Sequence, residues 1–301
     1  MKNIATLLLL TLTLTTCAKE APSRSNNPVS PSVPQAESPQ KPKQPASPTI
    51  EKPQVEHPPL HPAFSINRED LMMLIRELPQ EVQHKIIDSP SAFLADIEHI
   101  IPLYRKDPML FKLIDKKHAL PSDYVPQDLT ELSAQGIKIS KQELYLRKII
   151  IDDLKKMIED AKKEDNVELI PASCYRSYAT QKRIYQWEVD TYGQEQADRE
   201  SARPGTSQHQ SGLAIDFYPI DSKMAQLPTG KWLAENAYRY GFSLSYPEEQ
   251  EALTGYMYEP WHYRYITPAG TQLEKKYFIY QQYLLEFLDK HMGEILKKYK
   301  K

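Results

Sequence analysis

Apolar residues recur at three- and four-residue spacings from Ile66 to about Ile114, where Leu71, Leu74, Ile75 and Leu78 share one helical face. Pro79, Pro90, Pro102 and Pro108 interrupt that stretch, which predicts three or four short helices. Leu120-Pro121-Ser122-Asp123-Tyr124-Val125-Pro126 reads as a loop, because its prolines forbid regular structure. Helical spacing returns over Leu144 to Ala161, with Leu146, Ile149, Ile150, Leu154, Met157, Ile158 and Ala161 along one side. Val167-Glu168-Leu169-Ile170 reads as a strand, and a further helix begins near Ala179 and runs through Trp187. Beyond Ser207 the period changes to two. Leu213, Ile215 and Phe217 face a core while Ala214 and Asp216 face the other way, which puts Asp216 on the exposed side of a half-buried strand. The same alternation places His262 and Arg264 on one face of a second strand, with Tyr263 and Tyr265 on the other. Pro260 disfavours helix for the residue before it, so Glu259 ends a turn and His262 starts the strand. After Pro268 one long helix is predicted from about Thr271 to Lys298, carrying Tyr277, Phe278, Tyr280, Tyr283, Leu284, Phe287 and Leu288. The lysines that follow its last apolar turn suit the negative end of the helix dipole.

The start of the chain has a different character. Met1-Lys2-Asn3 followed by the apolar run Ile4 to Thr16 has the layout of a signal peptide, too short to span a bilayer as a helix. Cys17 follows Leu14-Thr15-Thr16, which resembles a bacterial lipobox with the cysteine as the lipidation site, although Thr16 stands where small Gly, Ala or Ser is preferred. With Cys17 lipidated, Cys174 is the one remaining thiol and no internal disulfide can form. Residues 20 to 62 hold 12 of the 25 prolines and almost no large apolar side chains, so they cannot bury enough surface to offset ordering. Extended at ~3.1 Å per residue, they form a tether reaching on the order of 100 Å. The composition of the whole chain, 26% charged and 40% hydrophobic with a formal net charge of −2, is ordinary for a soluble globular protein and gives no hint of nucleic acid.

The candidate chemistry lies in the two alternating strands. His209 and Asp216 stand seven residues apart across a Ser211-Gly212 turn signal, and a nitrogen and an oxygen ligand are two thirds of a catalytic zinc site. His262 can complete the set, with Glu259 close enough in sequence to reach the attacking water without binding the metal. Arg176 sits at a strand-to-helix junction, where its guanidinium can hold a carboxylate through two parallel hydrogen bonds. No His-Glu-x-x-His sequence occurs in the chain, which excludes the common zinc-protease helix.

Ser207-x-His209 with Asp216 downstream, joined to Glu259-Pro260-Trp261-His262 and to Tyr175-Arg176-Ser177, resembles the VanY-type D-alanyl-D-alanine carboxypeptidases. Lysostaphin and the hedgehog signalling domain belong to the same zinc peptidase group. The likeness covers roughly Leu110 to Pro268, with Leu120 to Leu129 and Thr254-Gly255-Tyr256 as supporting matches. It implies an α+β fold, a small central antiparallel sheet flanked by helices with the metal in a cleft over the sheet. Read from their residue patterns, the segments before it are a signal peptide with lipidation cysteine over 1–17, a tether over 18–63 and a helical extension over 64–112. A zinc carboxypeptidase domain over 113–270 and the C-terminal helix over 271–301 complete them.

The implied reaction is removal of the C-terminal D-alanine from peptidoglycan stem peptides. His209, Asp216 and His262 would hold Zn2+, and Glu259 would move the proton from the attacking water to the departing amine. Arg176 would anchor the terminal carboxylate, with Ser207 and Gln181 also at the substrate. The implied partners are stem peptides, with membrane contact only through the lipid anchor, in the cell envelope facing the periplasm. An L,D-carboxypeptidase acting on tetrapeptides is the alternative within the enzyme class, and a catalytically silent, metal-containing wall-binding module is the alternative outside it. Two departures stand out: Cys174 replaces a usual glycine, read here as a buried, inert thiol, and Ser245 stands where relatives often carry arginine.

Overall fold

The computed structural model describes residues 58–301, so the leader, Cys17 and the tether up to residue 57 lie outside the described residues. The architecture is α+β, as the resemblance implied. Four short strands, β3 (Pro171–Ser173), β4 (Ala214–Phe217), β5 (Phe242–Leu244) and β6 (His262–Tyr265), form an antiparallel sheet in the order β3-β4-β6-β5. A separate hairpin pairs β1 (Leu129–Glu131) with β2 (Tyr145–Arg147). The helices are α1 (Arg68–Ile75), α2 (Gln80–Ile87), α3 (Pro90–Lys106), α4 (Ile151–Asp165) and α5 (Tyr178–Tyr192). They continue with α6 (Gln194–Glu200), α7 (Pro228–Asn236), α8 (Glu251–Thr254), α9 (Thr267–Leu273) and α10 (Gln281–Lys298).

Local chemistry sets most of these boundaries. Asn67 and Asp70 form a reciprocal capping box at the start of α1, with bonds of 2.8 and 3.1 Å. Ser177 caps α5 by accepting from the amide of Thr180 at 3.2 Å. The stripe Ile151, Leu154, Met157 and Ala161 of α4 is buried, and Asn166 ends that helix at φ 53°. At Gly212 (φ 69°) the chain turns into β4, and a Cβ there would lie 2.9 Å from Cγ of Arg147, so the turn requires glycine.

The sequence pattern is corrected at four places. Leu144 to Arg147 form a hairpin strand and its lead-in, not the first helical turn, because Leu144 and Leu146 satisfy a period of two as well as the helical one and cross-strand pairing takes them. The predicted strand at 167–170 forms instead just after that run, as β3 at Pro171–Ser173, with a register shift between Pro171 and Ser173. Pro171 is tolerated because β3 is an edge strand. Pro102 does not end its helix: α3 runs through it, held by buried Ile97, Ile100 and Ile101 before the proline and by partly buried Leu103 and Tyr104 packed on the core after it. The long C-terminal helix is broken by a π turn over Glu274–Phe278 and by Ile279 at φ 69°. A β-branched residue there is strained, and the neighbouring burial of Tyr277 and Phe278 against Phe93, with ring centroids 5.1 and 6.2 Å away, offsets it. Each such aromatic side chain contributes roughly 1.5–3 kcal/mol on burial.

The regions before and after the sheet domain share one core. Phe64 bridges to Tyr299, and the amide of Lys300 donates to the carbonyl of Ala63 at 2.9 Å. Arg264 on β6 is wholly buried and donates to the carbonyl of Lys112 at 2.6 Å, tying the sheet to the segment that follows α3. Among the described residues no helix is long and apolar enough to cross a membrane.

Candidate active site

Strand register assembles the centre. Asp216 on β4 is the direct antiparallel partner of His262 on β6, and on its other side it lies opposite Ser173 of β3. His209 comes from the tight turn Gln208–Ser211 that leads into β4. Asp216, expected on an exposed strand face, is instead buried, as is all of Ala214–Phe217. The non-core side of the strand is covered by the walls of a cleft of about 240 Å³, which include Ser201, Ala202, Tyr246, Tyr256 and Trp261.

One nitrogen, one carboxylate and a second nitrogen, from His209, Asp216 and His262, lie within 4.8 Å of one another, all three residues buried. Nε2 of His209 is 3.1 Å from Oδ2 of Asp216, and Nδ1 of His262 is 3.0 Å from Oδ1. The opposite nitrogens are also engaged. Nδ1 of His209 lies 2.7 Å from the carbonyl of Cys174, which only accepts, so Nδ1 carries the ring hydrogen and Nε2 the lone pair. Nε2 of His262 lies 3.1 Å from the amide oxygen of Gln208. Burial lowers the pKa of His209 to about 4 despite the upward pull of Asp216, so its ring is neutral at pH 7. Burial by itself would raise the pKa of Asp216, but His209 and His262 hold it well below the usual carboxylate range. Two imidazole nitrogens and a carboxylate therefore converge on one point, where a cation would be held by all three. The donors suit zinc, and each ring is oriented by an acceptor behind it.

Glu259 lies beside the centre without joining it, its Oε2 3.6 Å from Nδ1 of His262. Burial, then the charge of Asp216, pushes its pKa well above the ordinary value, with Arg176 pulling the other way. Arg176 projects from the loop between β3 and α5. Its Nη2 donates to Ser173 Oγ at 2.9 Å and lies 3.9 Å from Oδ2 of Asp216, and Nη1 donates to Gln181 Oε1 at 2.9 Å. Gln181 is fully buried and donates to the carbonyl of Ala202 at 2.6 Å, so it touches the cleft through Arg176 and does not line it. Ser207 does line the cleft. Cys174 is a buried free thiol whose pKa is pushed well up by burial.

The fold brings these residues to one place together with others that the sequence pattern does not single out. Tyr246 lies with its ring 4.8 Å from that of His262, and Glu188 and Glu200 make the outer cleft acidic, burial and then Glu200 raising the pKa of Glu188. Nothing in the spacing of these residues signals the cleft, since each arrives from a separate element. A larger cavity of about 560 Å³, bounded by Leu74, Leu113, Gln282 and Phe287, contains none of the candidate site residues.

Helices surround a small antiparallel sheet, and over it two histidines and an aspartate converge in a group that could hold a metal ion. The chain belongs to the VanY family, residues 143–268 matching the family described as D-alanyl-D-alanine carboxypeptidase. It is 40% identical over 164 residues to YodJ of Bacillus subtilis (strain 168), covering 52% of this chain and 60% of that protein. To the D-alanyl-D-alanine carboxypeptidase of Enterococcus faecium it is 35% identical over 179 residues, 57% of this chain and 56% of the relative. The chain thus spans less than two thirds of the length of either curated relative. Among solved structures it is similar to the LdcB LD-carboxypeptidase, with 37% identity and a TM-score of 0.54 over 60% of this chain and 86% of that one.

Proposed function

We propose that this protein is a zinc-dependent carboxypeptidase that removes the C-terminal D-alanine from peptidoglycan stem peptides. The observation that carries the reading is the convergence of two ring lone pairs and one carboxylate beside a base and an arginine. In this reading His209, Asp216 and His262 hold the metal. Zinc at such a site supplies a Lewis acid that polarises a carbonyl oxygen and acidifies a water. Glu259 takes the proton of the attacking water and passes it to the departing amine, and its raised affinity for protons suits it to hold that proton in between. Arg176 uses two of its five N–H groups on Ser173 and Gln181, which leaves others for a terminal carboxylate. Gln181 then acts by fixing Arg176, and Ser207 faces the substrate backbone. A free carboxylate at that position makes the enzyme an exopeptidase. Working on stem peptides locates it in the cell envelope, with the leader and a lipid on Cys17 supplying export and an anchor.

The likeness to LdcB favours one second reading, an L,D-carboxypeptidase acting on tetrapeptides. Incubating the protein, with and without a chelator, with muropeptides ending in D-Ala-D-Ala and with tetrapeptides separates the two by product mass. The expected result is loss of one alanine from the pentapeptide, abolished by chelation, restored by zinc and reduced about 100-fold or more in Glu259→Ala. Cleavage of the tetrapeptide alone selects the L,D reading. No cleavage of either by zinc-loaded protein returns the protein to a silent wall-binding module.

A further inference from the structure

Behind His262 runs a chain of uncharged, buried side chains that ends on the helix following the catalytic segment. Nε2 of His262 meets Oε1 of Gln208 at 3.1 Å, and that same oxygen accepts from the hydroxyl of Ser245 at 2.7 Å. Nε2 of Gln208 donates to Oε1 of Gln281 at 3.3 Å, and Nε2 of Gln281 donates to the carbonyl of Ser243 at 3.3 Å. Gln208, Ser243, Ser245 and Gln281 are all buried.

The direction of this chain follows from its last member. A backbone carbonyl only accepts, so Gln281 must turn its NH2 to Ser243 and its oxygen to Gln208. Gln208 must then turn its own NH2 to Gln281 and its oxygen to Ser245 and His262. Nε2 of His262 is thereby required to carry the ring hydrogen, and Nδ1 is left with the lone pair that faces Asp216 at 3.0 Å. One main-chain carbonyl on β5 thus selects the tautomer of a residue on β6, through two amides.

We propose that Gln281 and Ser245, acting through Gln208, are positioning residues that fix the tautomer and orientation of His262 for metal binding. This rests on His262 being a metal ligand. Gln281 is the first residue of α10 and lies beyond the matched segment 143–268, so the C-terminal helix is a working part of the site and not only a packing element. The break at Ile279 immediately precedes it, and Tyr280 is extended, so the start of α10 is set by the strained turn. Ser245, the position where an arginine was expected from relatives, is a link in the same chain. Because every link is neutral, the ring of His262 is held without the added basicity that a carboxylate behind a metal-ligating histidine confers.

The test uses the full chain with Gln281→Met, which keeps volume and removes its bonds to Gln208, Ser245 and Ser243, and Ser245→Ala, which removes only a hydroxyl. Zinc affinity is measured by competition with a chromogenic chelator, the tautomer of His262 from its ring nitrogen shifts in 15N NMR of metal-free protein, and kcat and KM on the pentapeptide. Zinc affinity is expected to fall about 10–100-fold in each variant. The wild type and Ser245→Ala are expected to show a single Nε2–H tautomer and Gln281→Met a mixture, with kcat reduced in both variants and KM changed less than about twofold. Wild-type protein that binds zinc, alongside variants with unchanged affinity and an unchanged tautomer, overturns the proposal. A wild type that binds no zinc overturns the metal-site reading on which it stands.

Discussion

Asp216 and His262 are direct partners on adjacent antiparallel strands, and their facing atoms, Oδ1 and Nδ1, lie 3.0 Å apart. Cross-strand pairing therefore delivers a carboxylate and an imidazole to one spot without help from a loop. A cation that binds among these groups only in the folded state adds its binding free energy to stability. Asp216→Asn removes the charge and is expected to lower zinc affinity by more than about 100-fold, beyond the 10–100-fold typical of residues behind the ligands. Added zinc should no longer raise the variant's Tm. A variant whose Tm rises with zinc as the wild type's does would show that Asp216 is not a ligand.

Arg176→Lys keeps the positive charge but loses the fork geometry and one or both bonds to Ser173 and Gln181. A charged hydrogen bond contributes about 1.5–3 kcal/mol, so kcat/KM for the pentapeptide is expected to fall roughly 10–100-fold, mostly through KM. Wild-type enzyme should discriminate against the C-terminal amide of the same peptide to a similar degree. Equal rates on acid and amide would remove Arg176 from the role of carboxylate anchor.

Acid should destabilise the metal-free protein in a defined window. Folded His209 takes a proton only near pH 4, whereas an unfolded histidine does so near 6.5. Between those values the unfolded chain binds more protons, so stability falls as pH falls from about 6.5 to about 4, by on the order of 3 kcal/mol. Asp216, held below the ordinary carboxylate value, extends the loss further down as it protonates. Urea titrations at pH 7, 5.5 and 4 measure this, and a His209→Asn variant with the same slope would assign the effect to other groups.

Cys174 should be inert. It is buried, and burial pushes its thiol well above the ordinary range, so little thiolate forms at pH 8. Ellman's reagent is expected to leave the folded protein untouched over an hour and to titrate the thiol at once in guanidinium. Rapid reaction in the folded state would mean that the loop before Arg176 opens.

The candidate centre could be read because its chemistry is concentrated in short runs. Ser207 to Asp216 carries two of the three candidate ligands and Glu259 to His262 the third, and period-two alternation brings Asp216 and His262 to their strands. The α4 stripe was likewise written locally. The misreadings fall where local patterns were degenerate. Leu144 and Leu146 fit a helix and a strand equally, and the pairing of β2 with β1 settles which. Nothing local distinguishes a helix broken at Ile279 from a continuous one.

The sequence by itself determined which residue types could hold a cation and which periods their segments follow, since both depend on side-chain chemistry and near neighbours. Only the tertiary structure decided that Asp216 is buried, that Gln181 stands behind Arg176, and that Gln281 reaches the back of His262 through Gln208. Those facts depend on which distant elements close over the sheet. Residues 73 positions apart, as Gln208 and Gln281 are, meet because the whole core makes that approach the one that buries its apolar surface and satisfies its polar groups.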